Sequence, residues 1–482
     1  MSLKNKSKDV NKFIHNYKDF VQDSAILNSL IMKSKQLDKI ENLPVTLFPS
    51  PFPEDLFHNV VRIQKDFNVL YNKLSRDHEA LFEILKNIIE KDDFIKRIWN
   101  IYETIRNQPN SQTVFLSLIR NDFMISLPDE YRKSEDELSE LVMKPGVTIK
   151  QIEYNLMASS FAGIAQKVLD FHKTNLKLIG VKSAEIESKI PPNHPADGLA
   201  KGLICAWQVY KTTKAAILFL VGERERNVYD HRILEQCIYE QNPSVLIIRK
   251  SFNQCLKEGK LDENNCLWIN DYEIAVVYFR SGYAPEHFYN DQIWESKLML
   301  EKSKAIKCPS IQQMLVNTKL VQQALSNYTL LKKYLPDVVV QELVETFANQ
   351  YLLNDLDKIE TAIQFPEKFV LKPQREGGGN NYFDDDLVRK LTEIRNTEEK
   401  HQYVLMERLY PASCKNYILS SSGEISKQSI VSELGIFGVF LGNESETFAN
   451  YQCGYLLRSK PVNVNEGGVS AGFGCIDSIY LV

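Results

Sequence analysis

The stretch Phe369-Val-Leu-Lys-Pro-Gln-Arg-Glu-Gly-Gly-Gly-Asn-Asn-Tyr-Phe383 decides how this chain is read. Phe369 to Leu371 is a short apolar run with strand character, and Lys372 stands at its end. Pro373 has no N–H to give to a sheet ladder, so the strand stops there. Gly377, Gly378 and Gly379 make a loop with almost no steric restriction on φ, able to bring backbone N–H groups against an anion. No Gly-Lys-Ser/Thr follows, which excludes a Walker A loop, and contiguous glycines are not the spaced dinucleotide fingerprint. A carboxylate such as Glu376 inside a phosphate loop makes electrostatic sense only with a hard cation between acid and phosphate, and Mg²⁺ suits. Lys372 is placed to touch phosphate directly. A bare triple glycine reads as a flexible turn, whereas Lys372, Glu376, Asn380 and Asn381 at fixed offsets favour the phosphate loop.

Working outward, other apolar runs deliver polar residues. Thr113 to Ile119 is a strong strand signal with Arg120 at its C-terminal end; by itself Arg120 reads as a surface arginine. Val147 to Asn155 is a second strand, and the two-residue period puts Glu153 and Asn155 on one face. A carboxylate and an amide oxygen side by side are donors for a hard cation, although a solvated strand face has the same pattern. Ala215 to Val221 is fully apolar, as buried parallel strands are, Ser244 to Ile248 reads as another buried strand, and the helical stretch between them makes a β-α-β unit. Leu267 to Ile269 and Ile274 to Phe279 flank Asn270-Asp271 and form a predicted hairpin. Tyr403 to Met406 is a strand leading into Glu407-Arg408-Leu409, and Glu433 is an acid within the strand pattern Ile430 to Phe440, where it needs a partner. Arg458 and Lys460 share a strand face, and Glu466 to Gly472 is a second loop of small residues. Asp384, Asp385 and Asp386 read as the acidic first turn of a helix rather than as metal ligands.

The N-terminal region is plainer. Residues Val10 to Leu37 carry helical patterning, Leu43 to Pro53 is a proline-rich connector, and Glu54 to Asn107 repeats apolar residues at helical spacing (Leu56, Val60, Ile63, Phe67), predicting two or three amphipathic helices. With 482 residues the chain has room for about three domain-sized units. A net charge of −4 without basic blocks gives no support to nucleic-acid binding. Eight widely spaced cysteines without a Cys-x-x-Cys pair argue against zinc and against a disulfide framework. The lysine-rich N-terminus lacks the apolar core of a secretory signal, and no run approaches the ~18 apolar residues of a membrane span. A cytoplasmic location without membrane association is the expectation.

The glycine stretch resembles the glycine-rich loop of the eukaryotic glutathione synthetases, members of the ATP-grasp superfamily. Further resemblance lies at Ser432 to Gly438, Leu456 to Lys460 and Gly467 to Val469, and extends from about Leu47 to the C-terminus. The resemblance implies an α/β (α+β) chain with the ATP-grasp fold, in three parts. Residues 1–209 are the N-terminal helical and substrate- and metal-binding part, 210–315 an inserted small parallel α/β substrate-binding domain, and 316–482 the lid and nucleotide-binding part. It implies ligation of γ-glutamylcysteine to glycine with ATP as co-substrate, through an acyl phosphate, in a homodimer. Glu153, Asn155 and Glu376 are then the ligands of one or two Mg²⁺ ions. Glu153, Lys319, Lys372, Gly377 to Gly379, Asn380, Asn381, Phe383, Met406, Glu407, Arg408, Leu409, Glu433, Lys460 and Glu466 match nucleotide contacts. Arg120 and Arg458 match catalytic and substrate-carboxylate arginines. Met157, Ala158, Ser159 and Ser160, the loops Glu225-Arg226-Asn227 with His231 and Arg280-Ser281-Gly282-Tyr283, and Val469 with Ser470 match substrate segments. Three departures stand out. Ala158 takes a position where relatives often have Ser, His231 one where they have Gln, and Ser470 one where glutathione-forming relatives have Ala. The last bears on the acceptor, so a ligase using β-alanine or another acceptor remains open beside glutathione synthesis, as does a non-catalytic ATP-binding regulator.

Overall fold

The computed structural model describes residues 7–109, 111–131, 138–141, 144–374, 380–465, 467–469, 472 and 474–482. The expected site residues Glu376, Gly377, Gly378, Gly379, Glu466 and Ser470 therefore lie outside the described residues.

The largest sheet is built around the long strand Ile425–Gly442. It pairs antiparallel with Thr447–Pro461 on one side and with Phe115–Ser126 on the other, and Thr148–Asn155 adds the edge beyond. Toward its start the same strand pairs with Cys414–Leu419, which returns through Val45–Thr46 and Cys475–Asp477 to Thr447–Pro461, closing a five-strand circuit. The predicted connector Leu43 to Pro53 is thus corrected. It supplies two short strands, Val45–Thr46 and Ser50–Phe52, and its apolar residues Val45, Leu47 and Phe52 are buried. Prolines did not prevent pairing, because edge and very short strands tolerate them.

Helices cover both faces. Three helices, Glu54–Arg76, His78–Lys91 and Asp93–Arg106, occupy the stretch of helical spacing. Asp77 and Asp92 cap the second and third by accepting from Ala80 and Ile95 N–H groups. Phe67 and Ile63 of the first pack with Ile119 and Phe123 of the sheet. On the opposite face Leu199 and Leu203 of helix Pro195–Tyr210 meet Leu118 and Val439. Gly198 of this helix lies so close to the sheet that a Cβ would sit 2.1 Å from that of Cys453. At the N-terminus the predicted helical stretch ends early. Helix Ser7–Leu27 is followed by the hairpin strands Ile31–Lys33 and Ile40–Asn42, whose turn is tied by Ser34 donating to Asp38 at 2.6 Å.

A second sheet forms from residues within 210–315. Leu246–Lys250, Ala216–Leu220, Tyr272–Phe279 and Ile306–Cys308 run parallel, the first two as the β-α-β reading expects. The predicted hairpin is present, with Trp268 opposite Glu273 and Ile269 opposite Tyr272. A third, three-stranded antiparallel sheet has Tyr403–Glu407 at its centre, between Gln350–Leu352 and Phe369–Pro373. Helices Leu356–Gln364 and Asp384–Ile394 close its own small core of Ile359, Leu371, Leu387 and Leu405. The three aspartates occupy the first turn of the latter helix, as expected.

Candidate active site

Strand Phe115–Ser126 shows how sheet becomes site. Leu116, Leu118, Arg120 and Asp122 alternate onto one face. The first two pack under helices; the last two emerge where that cover ends. Sequence analysis ends this strand before Arg120, but it continues to Ser126, because the polar residues are satisfied across strands. Arg120 gives Asp122 a two-pronged pair, Nε to Oδ1 at 2.7 Å and Nη2 to Oδ2 at 2.8 Å. In the neighbouring strand Tyr154 faces the opposite way and stacks on Tyr71, ring centroids 3.6 Å apart, a contact of about 1 kcal/mol beyond burial. That anchor holds Glu153 and Asn155 on the site face, opposite Asp122 and Arg120 respectively.

Arg120, Glu153 and Asn155 line a cavity of about 690 Å³, the size of a small-molecule site, between the large sheet and the three-stranded sheet. Arg120, Glu153, Asn155, Glu433, Arg458 and Lys460 come from the large sheet, and Lys319 from the first turn of helix Lys319–Ala324. Lys372, Met406 and Val370 come from the three-stranded sheet, with Glu407, Arg408 and Leu409 following. Met157, Ala158, Ser159, Ser160 and Tyr283 form one end, and Asn380, Asn381, Phe383 and Val469 also face the space. Glu407 and Arg408 N–H groups are already given to Asn349 and Lys368 carbonyls, so a bound base cannot use them. Ile152, Val370 and Val431 add an apolar wall beside Met406 and Leu409 that no motif announced.

Carboxylates offset part of the positive charge inside the site. Lys319 pairs with Glu153, and Arg458 with Glu433. Burial works against the Glu153 carboxylate, yet Lys319, Lys372 and Arg458 outweigh it and hold its pKa down at about 2. Burial also opposes the Arg458 charge, but Glu433, Asp122 and Glu153 more than offset it and raise its pKa. Asp122, absent from the sequence-derived set, is fully buried beneath all of this. The one signal for it was its strand parity with Arg120.

The segment Glu225-Arg226-Asn227, His231, Arg280, Ser281 and Gly282 does not line this cavity. Arg280 stands directly behind it, donating to Ser159 O at 2.9 Å and Ser160 Oγ at 2.9 Å. Its Nε donates to His231 Nε2 at 3.0 Å. Burial first, then Arg280, holds His231 far below its ordinary pKa, so the ring is neutral, and its Nδ1 has no hydrogen-bond partner among the described residues. Arg226 reaches instead to the Lys33 carbonyl at 3.1 Å. Gly282 takes φ +93°, and a Cβ there would lie 2.8 Å from the Phe252 ring.

A cavity of lysines and arginines around carboxylates, set against a small antiparallel sheet with an apolar slot, defines an ATP-dependent ligase of the ATP-grasp type. Comparison with known proteins agrees. The family model "Eukaryotic glutathione synthase, ATP binding domain" matches residues 7–481. Glutathione synthetase of Xenopus laevis is 37% identical over 470 residues, 95% of each chain. The Homo sapiens enzyme is 36% identical over the same shares, and the chloroplastic one of Arabidopsis thaliana 32% identical over 95% of this chain and 83% of its own. The structure of a glutathione synthetase-like effector from Globodera pallida superposes with a TM-score of 0.77 at 24% identity, covering 98% of this chain and 97% of the other, and so shares the fold. The chain belongs to the eukaryotic glutathione synthase family.

Proposed function

We propose that this chain joins γ-glutamylcysteine to glycine, with ATP converted to ADP and phosphate. The observation that carries the reading is the convergence of Arg120, Arg458, Lys319 and Lys372 with Glu153 in one cavity of about 690 Å³. A carboxylate is too poor an electrophile for an amine. The cysteinyl carboxylate oxygen therefore attacks the γ-phosphorus of ATP, ADP leaves, and an acyl phosphate forms. The glycine amine then attacks the acyl carbon, loses a proton, and the C–O bond to phosphate breaks. Phosphoryl transfer asks for charge neutralisation and alignment. Lys319, Lys372 and Lys460 supply positive charge along the phosphates, and Gly377, Gly378 and Gly379 serve as the phosphate-binding glycines. Arg120 and Arg458 hold substrate carboxylate and the tetrahedral oxyanion. Met406 and Leu409 flank the base, and Glu433 takes the ribose. The Ser159–Ser160 loop, fixed by Arg280, holds the dipeptide, and His231 acts on that loop through Arg280, whose Nε–H it accepts.

The donor set fits Mg²⁺: Asn155 gives its amide N–H to Asp122 at 2.8 Å, which leaves its oxygen, with the Glu153 carboxylate, for a hard cation. Held by Glu153, Asn155 and Glu376, one or two such ions would withdraw charge from the phosphate oxygens. Parts 1–209, 210–315 and 316–482 act as site wall, substrate domain and nucleotide lid. The enzyme works as a cytoplasmic homodimer.

The test is coupled ADP release with γ-glutamylcysteine and glycine, β-alanine or no acceptor. Glycine-dependent release supports the reading. Preference for β-alanine moves acceptor choice to the loop at Val469 and Ser470. ATP binding without acceptor-dependent release overturns it in favour of a regulator.

A further inference from the structure

We propose that Asp122 is a positioning residue for this ligation, the buried anion that decides which edges of Arg120, Arg458 and Asn155 face the cavity. The inference rests on the ligase reading above. Asp122 does not line the cavity and is 0% exposed. Its Oδ1 takes Arg120 Nε; its Oδ2 takes Arg120 Nη2, Asn155 Nδ2 at 2.8 Å and Arg458 Nη2 at 2.9 Å. Three side chains that meet ligand are thus held by one carboxylate.

Each bond has a consequence. The Nε–Nη2 edge of Arg120 is occupied, so Nη1, which leans toward the Ser160 carbonyl at 3.5 Å, is the group left for a substrate carboxylate. Asn155 donates to Asp122 and to the Arg120 carbonyl at 3.2 Å, which fixes its amide nitrogen inward and its oxygen outward. Arg458 is shared between Asp122 and Glu433, which pins its guanidinium between two acids. Asp122 also stands directly opposite Glu153 across the strand pair, where two like charges repel. That placement persists because the arginines lie against Asp122 and Lys319 lies against Glu153. Gly435 completes the arrangement: a Cβ there would lie 2.7 Å from Asp122 Oδ1 and 2.8 Å from Arg120 Cδ.

Asp122→Asn keeps the shape but replaces one acceptor oxygen by a donor, which faces either Arg120 Nε or the three donors on the other side. Partners of this kind around a metal ligand typically change metal affinity on the order of 10- to 100-fold. Mn²⁺ affinity, read by electron paramagnetic resonance with a non-hydrolysable ATP analogue, is expected to fall by about that much in Asp122→Asn. Dipeptide affinity, read by calorimetry without ATP, falls with it. In the double variant Asp122→Asn/Asn155→Asp the donor and acceptor are exchanged, so Mn²⁺ affinity recovers while dipeptide binding stays weak, because Arg120 still lacks its two-pronged partner. A purely structural role predicts lowered thermal stability with unchanged affinities in the folded fraction. Folded Asp122→Asn with both affinities within about twofold of the original overturns the proposal. Should that variant fail to fold, Gly435→Ala crowds the same two side chains without altering charge; unchanged dipeptide binding there is equally decisive against it. Absence of ADP release by the unmodified enzyme would instead refute the ligase reading, and the binding measurements would still judge Asp122.

Discussion

Replacing Asp230 by alanine should weaken both the fold and the grip on the dipeptide. Helix Ala162–Leu178 begins after Phe161, which has φ 71° and no capping side chain of its own. Asp230, from helix Val228–Gln241, does that work from outside. Its carboxylate accepts from Phe161 N–H at 2.7 Å, Gly163 N–H at 2.9 Å and Ile164 N–H at 3.4 Å. The group is 5% exposed, and burial raises its pKa against the effect of Arg280 and those three N–H groups. Alanine orphans two well-made donors and one long one at the positive end of a helix. At about 1–3 kcal/mol per buried unsatisfied group, partly relieved by water, the loss is about 3–4 kcal/mol. Asn in its place keeps one oxygen and should cost roughly half as much. The same turn carries Ser159 and Ser160 into the cavity, so KM for γ-glutamylcysteine should rise several-fold while KM for ATP changes little. Thermal unfolding and initial-rate kinetics on both variants test this. An alanine variant with the original melting temperature and dipeptide KM would refute the capping argument.

Glu153→Gln keeps the shape but removes the anion that Lys319, Lys372 and Arg458 face; turnover should fall at least ~100-fold in coupled ADP release, and an unchanged kcat would dismiss the proposed metal role. Ser470→Ala should raise the glycine to β-alanine ratio of kcat/KM, and an unaltered ratio would place acceptor choice elsewhere. Two buried groups set opposing acid responses. Burial pushes His172 down to about 3, so as pH falls from 6.5 the unfolded chain takes a proton that the folded one refuses, and stability falls. Burial raises Asp477 to about 6, despite hydrogen bonds from Ser459, Ser50 and Thr46, so between pH 6 and 3.8 the folded chain binds the extra proton and stability rises as pH falls. The two nearly cancel between pH 6 and 4. In His172→Gln the Asp477 contribution stands alone, and stability relative to the original should climb by about 1.4 kcal/mol per pH unit on going from pH 6 to 4. Parallel urea-midpoint profiles would contradict this.

Much of the site was legible because its chemistry is local in the chain. Lys372 at the end of an apolar run, Glu153 and Asn155 two apart on a strand, and Arg458 and Lys460 on one strand face are patterns of spacing, and each of these side chains reaches the cavity. The parallel strand Ala216–Leu220 was equally plain, since burial on both faces leaves no polar alternation, and Leu246–Lys250 pairs with it at the sheet edge. The short strands Val45–Thr46 and Ser50–Phe52 were not, because two or three residues carry no period and owe their conformation to partners more than 360 residues away.

Sequence by itself determined the long apolar strands, the helical cover from Glu54 to Arg106 and, through the family resemblance, most of the polar groups in the cavity. Tertiary structure alone decided which of those charges neutralise one another. Asp122 with Arg458 and Lys319 with Glu153 join residues far apart in the chain. Electrostatic energy depends on distance and local dielectric, and neither is encoded in spacing along a strand. A buried acid such as Asp122 acquires its role only when the fold removes water from around it and brings two guanidinium groups within 3 Å.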